Sequence, residues 1–220
     1  MIAIVDYGSG NLRSVLRAFH AVAPNADVQI VSDPEMVLRA ERVVFPGQGA
    51  MPDCMASLAR SGLKEAIIES CRSKPFFGIC VGEQMLFDHS EEGNTAGLGV
   101  MPGDVVKFTP ERGARDANGA PLKVPHMGWN EVHWRSAHPV TAGLPTGGWF
   151  YFVHSFHAEP GNAAHILGES EYGLRFTCAV ARDNIVATQF HPEKSAAAGL
   201  KLLSKSVGIV TGKQIGRAHV

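Results

Sequence analysis

The chain has 220 residues, 45% of them hydrophobic and 19% charged, and 20 Lys plus Arg against 21 Asp plus Glu leave a formal net charge of −1. That length suffices for a full hydrophobic core, the hydrophobic share excludes a disordered chain, and the balanced charge argues against a nucleic-acid-binding protein, which shows a basic excess. No apolar run approaches the roughly 20 residues of a membrane helix. Met1-Ile2-Ala3-Ile4-Val5 is apolar, but Asp6 follows at once and no basic residues precede it, so it does not read as a signal peptide. Cys54, Cys71, Cys80 and Cys178 form no C-x-x-C pair, and without a secretory signal they are expected as free thiols of a cytoplasmic protein.

In chain order, residues 2–7 form a short apolar run broken by Gly8-Ser9-Gly10. Leu12, Val15, Leu16 and Phe19 follow at helical spacing, so strand, tight turn and helix are predicted. Residues 28–31 and 42–45 read as strands, the second ended by Pro46-Gly47-Gln48-Gly49. Residues 58–72 read as one helix, 75–79 as a buried strand and 81–87 as a helix. From residue 99 onward strand-like runs dominate, at 105–108, 131–134, 149–154 and 176–181, with residues 111–121 an exposed loop. A last strand at 185–190 and a helix at 196–203 follow. The alternation predicts an α/β fold: a doubly wound, mostly parallel sheet with flanking helices and an additional strand-rich region in the second half. Residues 1–204 are expected to form a single domain and 205–220 a tail. The last six residues, Ile215 to Val220, can be encoded by ATCGGAAGAGCACACGTC, which resembles a sequencing-adapter string; they read as an assembly artefact and carry no functional weight.

Gly78-Ile79-Cys80-Val81-Gly82 stands between a strand and a helix, the cysteine version of a nucleophile elbow. The flanking glycines are expected to allow a tight turn, and the helix dipole to lower the thiol pKa. The Val81 N–H is expected to face a developing oxyanion. Gln189-Phe190-His191-Pro192-Glu193 follows the last strand. His191 suits a general base at neutral pH, and Glu193 two residues on can fix its tautomer. Gly47, Gln48 and Gly49 close a strand with backbone N–H groups at the sheet edge where doubly wound folds bind ligands. The histidines show no metal-ligand spacing, and His154 and His157, three apart in a strand-like run, are expected on opposite faces. Gly8-Ser9-Gly10 is not a dinucleotide fingerprint, since its third glycine would fall on Arg13. No metal or cofactor is expected, because thiol hydrolysis of an amide needs a thiolate, a base and an oxyanion hole.

Taken together, these motifs resemble the class I glutamine amidotransferases, whose triad runs Cys, His, Glu in that order, over nearly the whole chain. The resemblance narrows at Gly10-Asn11-Leu12-Arg13-Ser14-Val15, Pro125-His126-Met127-Gly128-Trp129-Asn130, Tyr151-Phe152-Val153-His154-Ser155-Phe156 and His191-Pro192-Glu193-Lys194-Ser195. These strings are similar to the glutaminase subunits of imidazole glycerol phosphate synthases. The resemblance implies glutamine hydrolysis through Cys80, His191 and Glu193, with ammonia passed to a (β/α)8-barrel cyclase subunit in histidine biosynthesis. It also implies that Gln84 and the Ser155–Phe156 backbone hold glutamine, and that Asn11, Trp129, Tyr151 and Lys194 face the cyclase. The alternatives are a glutaminase serving another synthase and a catalytically silent amidotransferase-like regulatory module; the first lacks a reason for Pro125–Asn130, the second would ordinarily have lost a triad member.

Overall fold

The computed structural model describes residues 1–208; the suspected artefact at 215–220 lies outside them. The first half alternates strand and helix: β1 (Ile2–Val5), α1 (Leu12–Val22), β2 (Val28–Val31), α2 (Pro34–Arg39), β3 (Arg42–Gly47), α3 (Met51–Ser61), α4 (Lys64–Ser73), β4 (Phe76–Cys80) and α5 (Val81–Gln84). The second half is mostly strand: β5 (His89–Ser90), β6 (Thr95–Ala96), β7 (Gly103–Lys107), β8 (His126–Trp134), β9 (Gly148–His154), β10 (Phe156–Pro160), β11 (Ile166–Tyr172), β12 (Leu174–Arg182) and β13 (Ile185–Thr188), before α6 (Ala196–Gly208).

The sheet runs β2-β1-β3-β4-β13-β12-β10-β7-β5-β6, with β11 joining β12 to the antiparallel β8–β9 ribbon. Strands β2, β1, β3, β4 and β13 are mutually parallel, and β12 and β10 continue antiparallel. Every residue of β1, β3, β4 and β13 is buried, which is why they read as continuous apolar runs: a parallel sheet is covered on both faces. Helix α1 packs on α6, and α2 on α4.

Several elements differ from expectation, each for a local reason. The helix predicted at 58–72 is two helices, because Gly62 adopts φ +73° and ends α3 before α4 restarts. The unforeseen α2 is capped by Asp33, whose carboxylate accepts from the N–H groups of Glu35 and Met36 behind Pro34. Helix α5 stops after one turn rather than reaching residue 87. The carbonyls of Met85, Leu86 and Phe87 instead accept from the N–H groups of Leu98, Gly99, Val100 and Met101. Strands β10 and β11 were not foreseen; in β11, Gly168, Glu169 and Glu171 dilute the apolar alternation. Helix α6 extends through residues 205–208, which were expected to belong to the tail.

His154 and His157 do not face opposite ways. The chain bends at Ser155, between β9 and β10, so strand alternation is interrupted. Both rings meet Phe108, with centroids 5.2 and 4.6 Å away, and His126 joins them at the same buried cluster. Burial holds all three imidazoles neutral. It lowers His126 and His157 to about 4, and lowers His154 well below the usual range.

Two predictions arise from this packing. At Gly62 a Cβ would meet nothing, so Gly62→Ala costs only left-handed backbone strain, about 1–2 kcal/mol. At Gly82 a Cβ would lie 1.9 Å from the Phe45 carbonyl oxygen, so Gly82→Ala, free of φ strain, costs about 3 kcal/mol through overpacking. Urea denaturation should rank them in that order, and equal costs would contradict it. The histidines predict acid lability. Unfolded histidine titrates near 6.5, so between about pH 6.5 and 4 the unfolded chain binds more protons and stability falls as pH falls, by up to about 1.4 kcal/mol per pH unit for each ring. A urea midpoint that stays level from pH 7 to 5 would contradict this assignment.

Candidate active site

Strand β4 ends on Cys80, which takes φ 57° and ψ −117° as α5 begins. The strain of the elbow therefore falls on the cysteine. Its flanking glycines serve a different need from the tight turn expected of them. A Cβ on Gly78 would come within 2.9 Å of the Ala187 Cβ on β13, and Gly82 lies directly against the Phe45 carbonyl of β3. The helix expected over residues 81–87 is also cut to the single turn of α5. What remains is its first-turn N–H groups, Val81 and Gly82, which have no partner within a helix. Gly47, paired in register with Cys80, is equally tight: a Cβ there would lie 2.7 Å from the Gly82 nitrogen.

His191 arrives from the end of β13. Its backbone N–H donates to the Tyr151 carbonyl at 2.9 Å, and its carbonyl accepts from the Ser195 hydroxyl at 2.6 Å. Its Nδ1–H donates to Glu193 Oε1 at 2.9 Å, both side chains being buried, so the tautomer leaves Nε2 for other work. Burial alone would lower the imidazole pKa. The Cys80 charge, hydrogen bonds to Cys80 and Glu193, and the Glu193 charge outweigh burial and raise it well above its usual range. The ring is thus poised as a cation between a sulfur and a carboxylate. Gln189 Nε2 approaches Cys80 Sγ at 3.8 Å. Glu83, beneath the elbow, is fully buried; burial and then the Cys80 charge push its carboxyl well above the carboxylate range, so it is held neutral.

Cys80 opens onto a cavity of about 290 Å³ lined by Gln48, Gly49, Val81, Gln84, Ser155, Phe156, His191 and Lys194, all given a site role from sequence, and by Glu92, Val153 and His154, which were given none. Glu193 stands behind His191 and Gly47 beneath the Cys80 turn. Glu92 Oε2 accepts from the Met51 N–H at 2.8 Å, placing a carboxylate in the pocket wall; it sits in the turn between β5 and β6, where nothing in the sequence marks it. Gln84 is buried, and its Nε2 donates to the Phe156 carbonyl at 3.2 Å and to Gln189 Oε1 at 2.8 Å. The Gln48 carbonyl accepts from Ser9 Oγ at 2.8 Å and Cys54 Sγ at 3.3 Å, which fixes the peptide plane carrying the Gly49 N–H.

The residues assigned to a partner face are partly assembled. Trp129 and Tyr151 pair across β8 and β9, ring centroids 6.2 Å apart, and Lys194 Nζ stands 5.9 Å over the Tyr151 ring at the cavity mouth. Asn11 lies apart from them in sequence, at the half-buried start of α1. All four cysteines are free and buried. Among the described residues no three His, Cys, Asp or Glu side chains are grouped to hold a metal ion, and no helix is long and apolar enough to cross a membrane.

Residues 3–207 match the family model for class I glutamine amidotransferases. A protein of Aromatoleum aromaticum called imidazole glycerol phosphate synthase subunit HisH is 58% identical over 206 residues, covering 94% of this chain and 97% of that protein. The subunit of the same name from Chromobacterium violaceum is 58% identical over 203 residues, covering 92% and 94%. Among solved structures, a glutamine amidotransferase superposes with TM-score 0.70 at 14% identity, covering 96% of this chain and 99% of the other. Another glutamine amidotransferase, from Thermotoga maritima, superposes with TM-score 0.62 at 16% identity, covering 95% and 96%. A cysteine elbow facing a buried His–Glu pair on this fold, together with full-length relatives at such identity, has one reading: the chain belongs to the class I glutamine amidotransferase family, among the imidazole glycerol phosphate synthase HisH subunits.

Proposed function

We propose that this chain hydrolyses glutamine to glutamate and ammonia at Cys80 and delivers the ammonia to a (β/α)8-barrel cyclase subunit that makes imidazole glycerol phosphate for histidine biosynthesis, in the cytoplasm and as a single amidotransferase domain. The observation that carries the reading is the buried His191–Glu193 pair set against Cys80 at the cavity floor. The Cys80 thiolate attacks the side-chain amide carbon of glutamine. The oxyanion meets the Val81 N–H and a second N–H from Gly47-Gln48-Gly49. His191 gives its proton to the departing nitrogen, which leaves as ammonia, and a γ-glutamyl thioester remains. His191 then takes a proton from water, hydroxide adds to the thioester, and glutamate is released. Glu92 supplies the negative charge that an α-ammonium group needs, and the Ser155–Phe156 backbone faces the α-carboxylate.

The proposed cyclase face is the outer side of the β8–β9 ribbon. Met127 is 62% exposed, Trp129 48% and Trp149 53%, an apolar patch of the kind that marks a protein interface. The patch reaches the cavity mouth through Tyr151 and Lys194, so ammonia leaving Cys80 emerges beneath the partner. Hydrolysis without the partner would waste ammonia to water, where it is protonated at neutral pH. The Gly47–Gly49 segment offers the control point. Gly49, at φ +96° with open space about it, permits the peptide plane to turn once its Ser9 and Cys54 hydrogen bonds break, at about 1 kcal/mol each.

Cys80→Ala should abolish glutamine-dependent synthesis, by at least about 10⁴-fold, and leave ammonia-dependent synthesis by the complex intact. His191→Asn should approach that loss, while Glu193→Gln, which removes only the imidazole's orienting and charge-stabilising partner, retains about a hundredfold more activity. Glutamine turnover of Cys80→Ala within tenfold of wild type, or the reverse ranking in folded protein, would refute the assignments. Glutamate release should rise about a hundredfold or more from the isolated chain to the complex with cyclase and its nucleotide ligand, the worth of one oxyanion donor. Gly49→Pro should impair the stimulated rate more than cyclase binding. Equal turnover of the chain alone, with cyclase, and with cyclase plus nucleotide would rule out the switch.

A further inference from the structure

Two buried histidines, His154 in the cavity wall and His126 hydrogen-bonded to it, have no part in the chemistry described above. His154 Nδ1 lies 2.8 Å from the Phe156 carbonyl oxygen. A carbonyl only accepts, so the proton sits on Nδ1, and Nε2 of the neutral ring is an acceptor. His126 Nδ1 lies 2.9 Å from that Nε2 and must donate to it. His126 Nε2 is then itself an acceptor, and Asn130 Nδ2 meets it at 3.2 Å while donating also to the Glu171 carbonyl at 2.8 Å. One directed string of hydrogen bonds therefore runs from the Asn130 amide on β8 through His126 and His154 to the Phe156 oxygen, with every tautomer set by its neighbour.

The Phe156 oxygen is a junction. It accepts from His154 on one side and from Gln84 of the elbow helix on the other, and Gln84 continues to Gln189, whose amide reaches Cys80 Sγ. We propose that His126 and His154 are positioning residues for glutamine binding: by aiming a donor at the Phe156 carbonyl they hold the β9–β10 bend against α5 and set the wall on which glutamine lies. This rests on the glutaminase reading of the cavity.

Packing alone gives no reason for imidazoles here. His126 stacks between Phe152 and Tyr172, with centroids 4.9 and 4.2 Å away, and His154 meets Phe108 and Phe176 at 5.2 and 5.3 Å. Phenylalanine at both positions would keep those contacts without burying four ring nitrogens, and replacing both members of a buried polar pair by apolar groups of similar shape is near neutral or stabilising. The imidazoles are retained at a cost in stability, and what they add is a direction at one backbone oxygen. His126 and Asn130, an even number of residues apart, share the inner face of β8.

The test uses the complex with the cyclase and its nucleotide ligand. His126→Phe/His154→Phe, His154→Phe and His154→Asn are compared with wild type for thermal midpoint, kcat and KM for glutamine, and ammonia-dependent synthesis. Asparagine places an amide N–H where Nδ1 stands and so keeps the donor to Phe156. The expected result is that the double phenylalanine variant melts at or above the wild-type temperature, that His154→Phe alone, which leaves the buried His126 Nδ1–H unpaired, melts lower, and that both keep ammonia-dependent synthesis. Their KM for glutamine rises tenfold or more, with a smaller change in kcat, and His154→Asn recovers most of that rise. Phenylalanine variants that do not fold would make the pair structural and overturn the proposal. So would folded ones with KM within twofold of wild type, or an asparagine variant no better than phenylalanine. A wild-type complex that does not hydrolyse glutamine would instead remove the reading on which the proposal rests.

Discussion

The architecture of the site depends on a missing side chain. At Gly82 the elbow helix lies so close to β3 that a single added carbon would sit 1.9 Å from the Phe45 carbonyl oxygen. That approach lets Val81 and Gly82 begin their turn directly over the end of β3, beside Gly47. The proposed oxyanion donors, at the end of β3 and the start of α5, and the sulfur at the end of β4 thereby share one small space. The same closeness leaves the chain no relaxed path from β4 into α5, and Cys80 absorbs the difference at φ 57°. Such strain persists only where the surroundings over-determine it. Here β3 and β13 flank β4 in parallel register and every residue of all three is buried.

Around that elbow the protein buries polar groups that a core built for stability would leave out. His191 and Glu193 are paired, the His126–His154 string is satisfied link by link, and Gln84 and Gln189 connect the strand bend to the sulfur. Each group costs desolvation, offset in part by the hydrogen bonds it makes. The offset is incomplete: Glu193 Oε2 and both oxygens of Glu83 are buried with no hydrogen-bond partner among the described residues.

The β8–β9 ribbon carries two roles on its two faces. Its inner face buries His126, Val132, Phe150, Phe152 and His154, and its outer face exposes Met127, Trp129 and Trp149. A strand has this property by construction, since successive side chains point to opposite sides. Strand β9 therefore contributes Val153 and His154 to the cavity and Trp149 to the proposed docking surface.

Much of this was legible in the residues themselves. The apolar runs of β1, β3, β4 and β13 announced a covered parallel sheet, because burial shows as continuous hydrophobicity, and G-x-C-x-G marked the elbow, although close packing rather than the turn is what requires its glycines. His191 and Glu193 are two residues apart, so their pairing was also within reach. What the sequence could not determine is whatever depends on two segments meeting. Gly82 is required by a carbonyl 37 positions earlier, Glu92 enters the cavity from a turn with no motif of its own, and Ser9 and Cys54 converge on the Gln48 carbonyl from separate elements. His154 and His157 were misread because strand alternation was carried through a bend that only the pairing of β10 with β7 reveals. Periodicity records which side of its own element a residue faces, and the tertiary fold alone decides what lies across the gap.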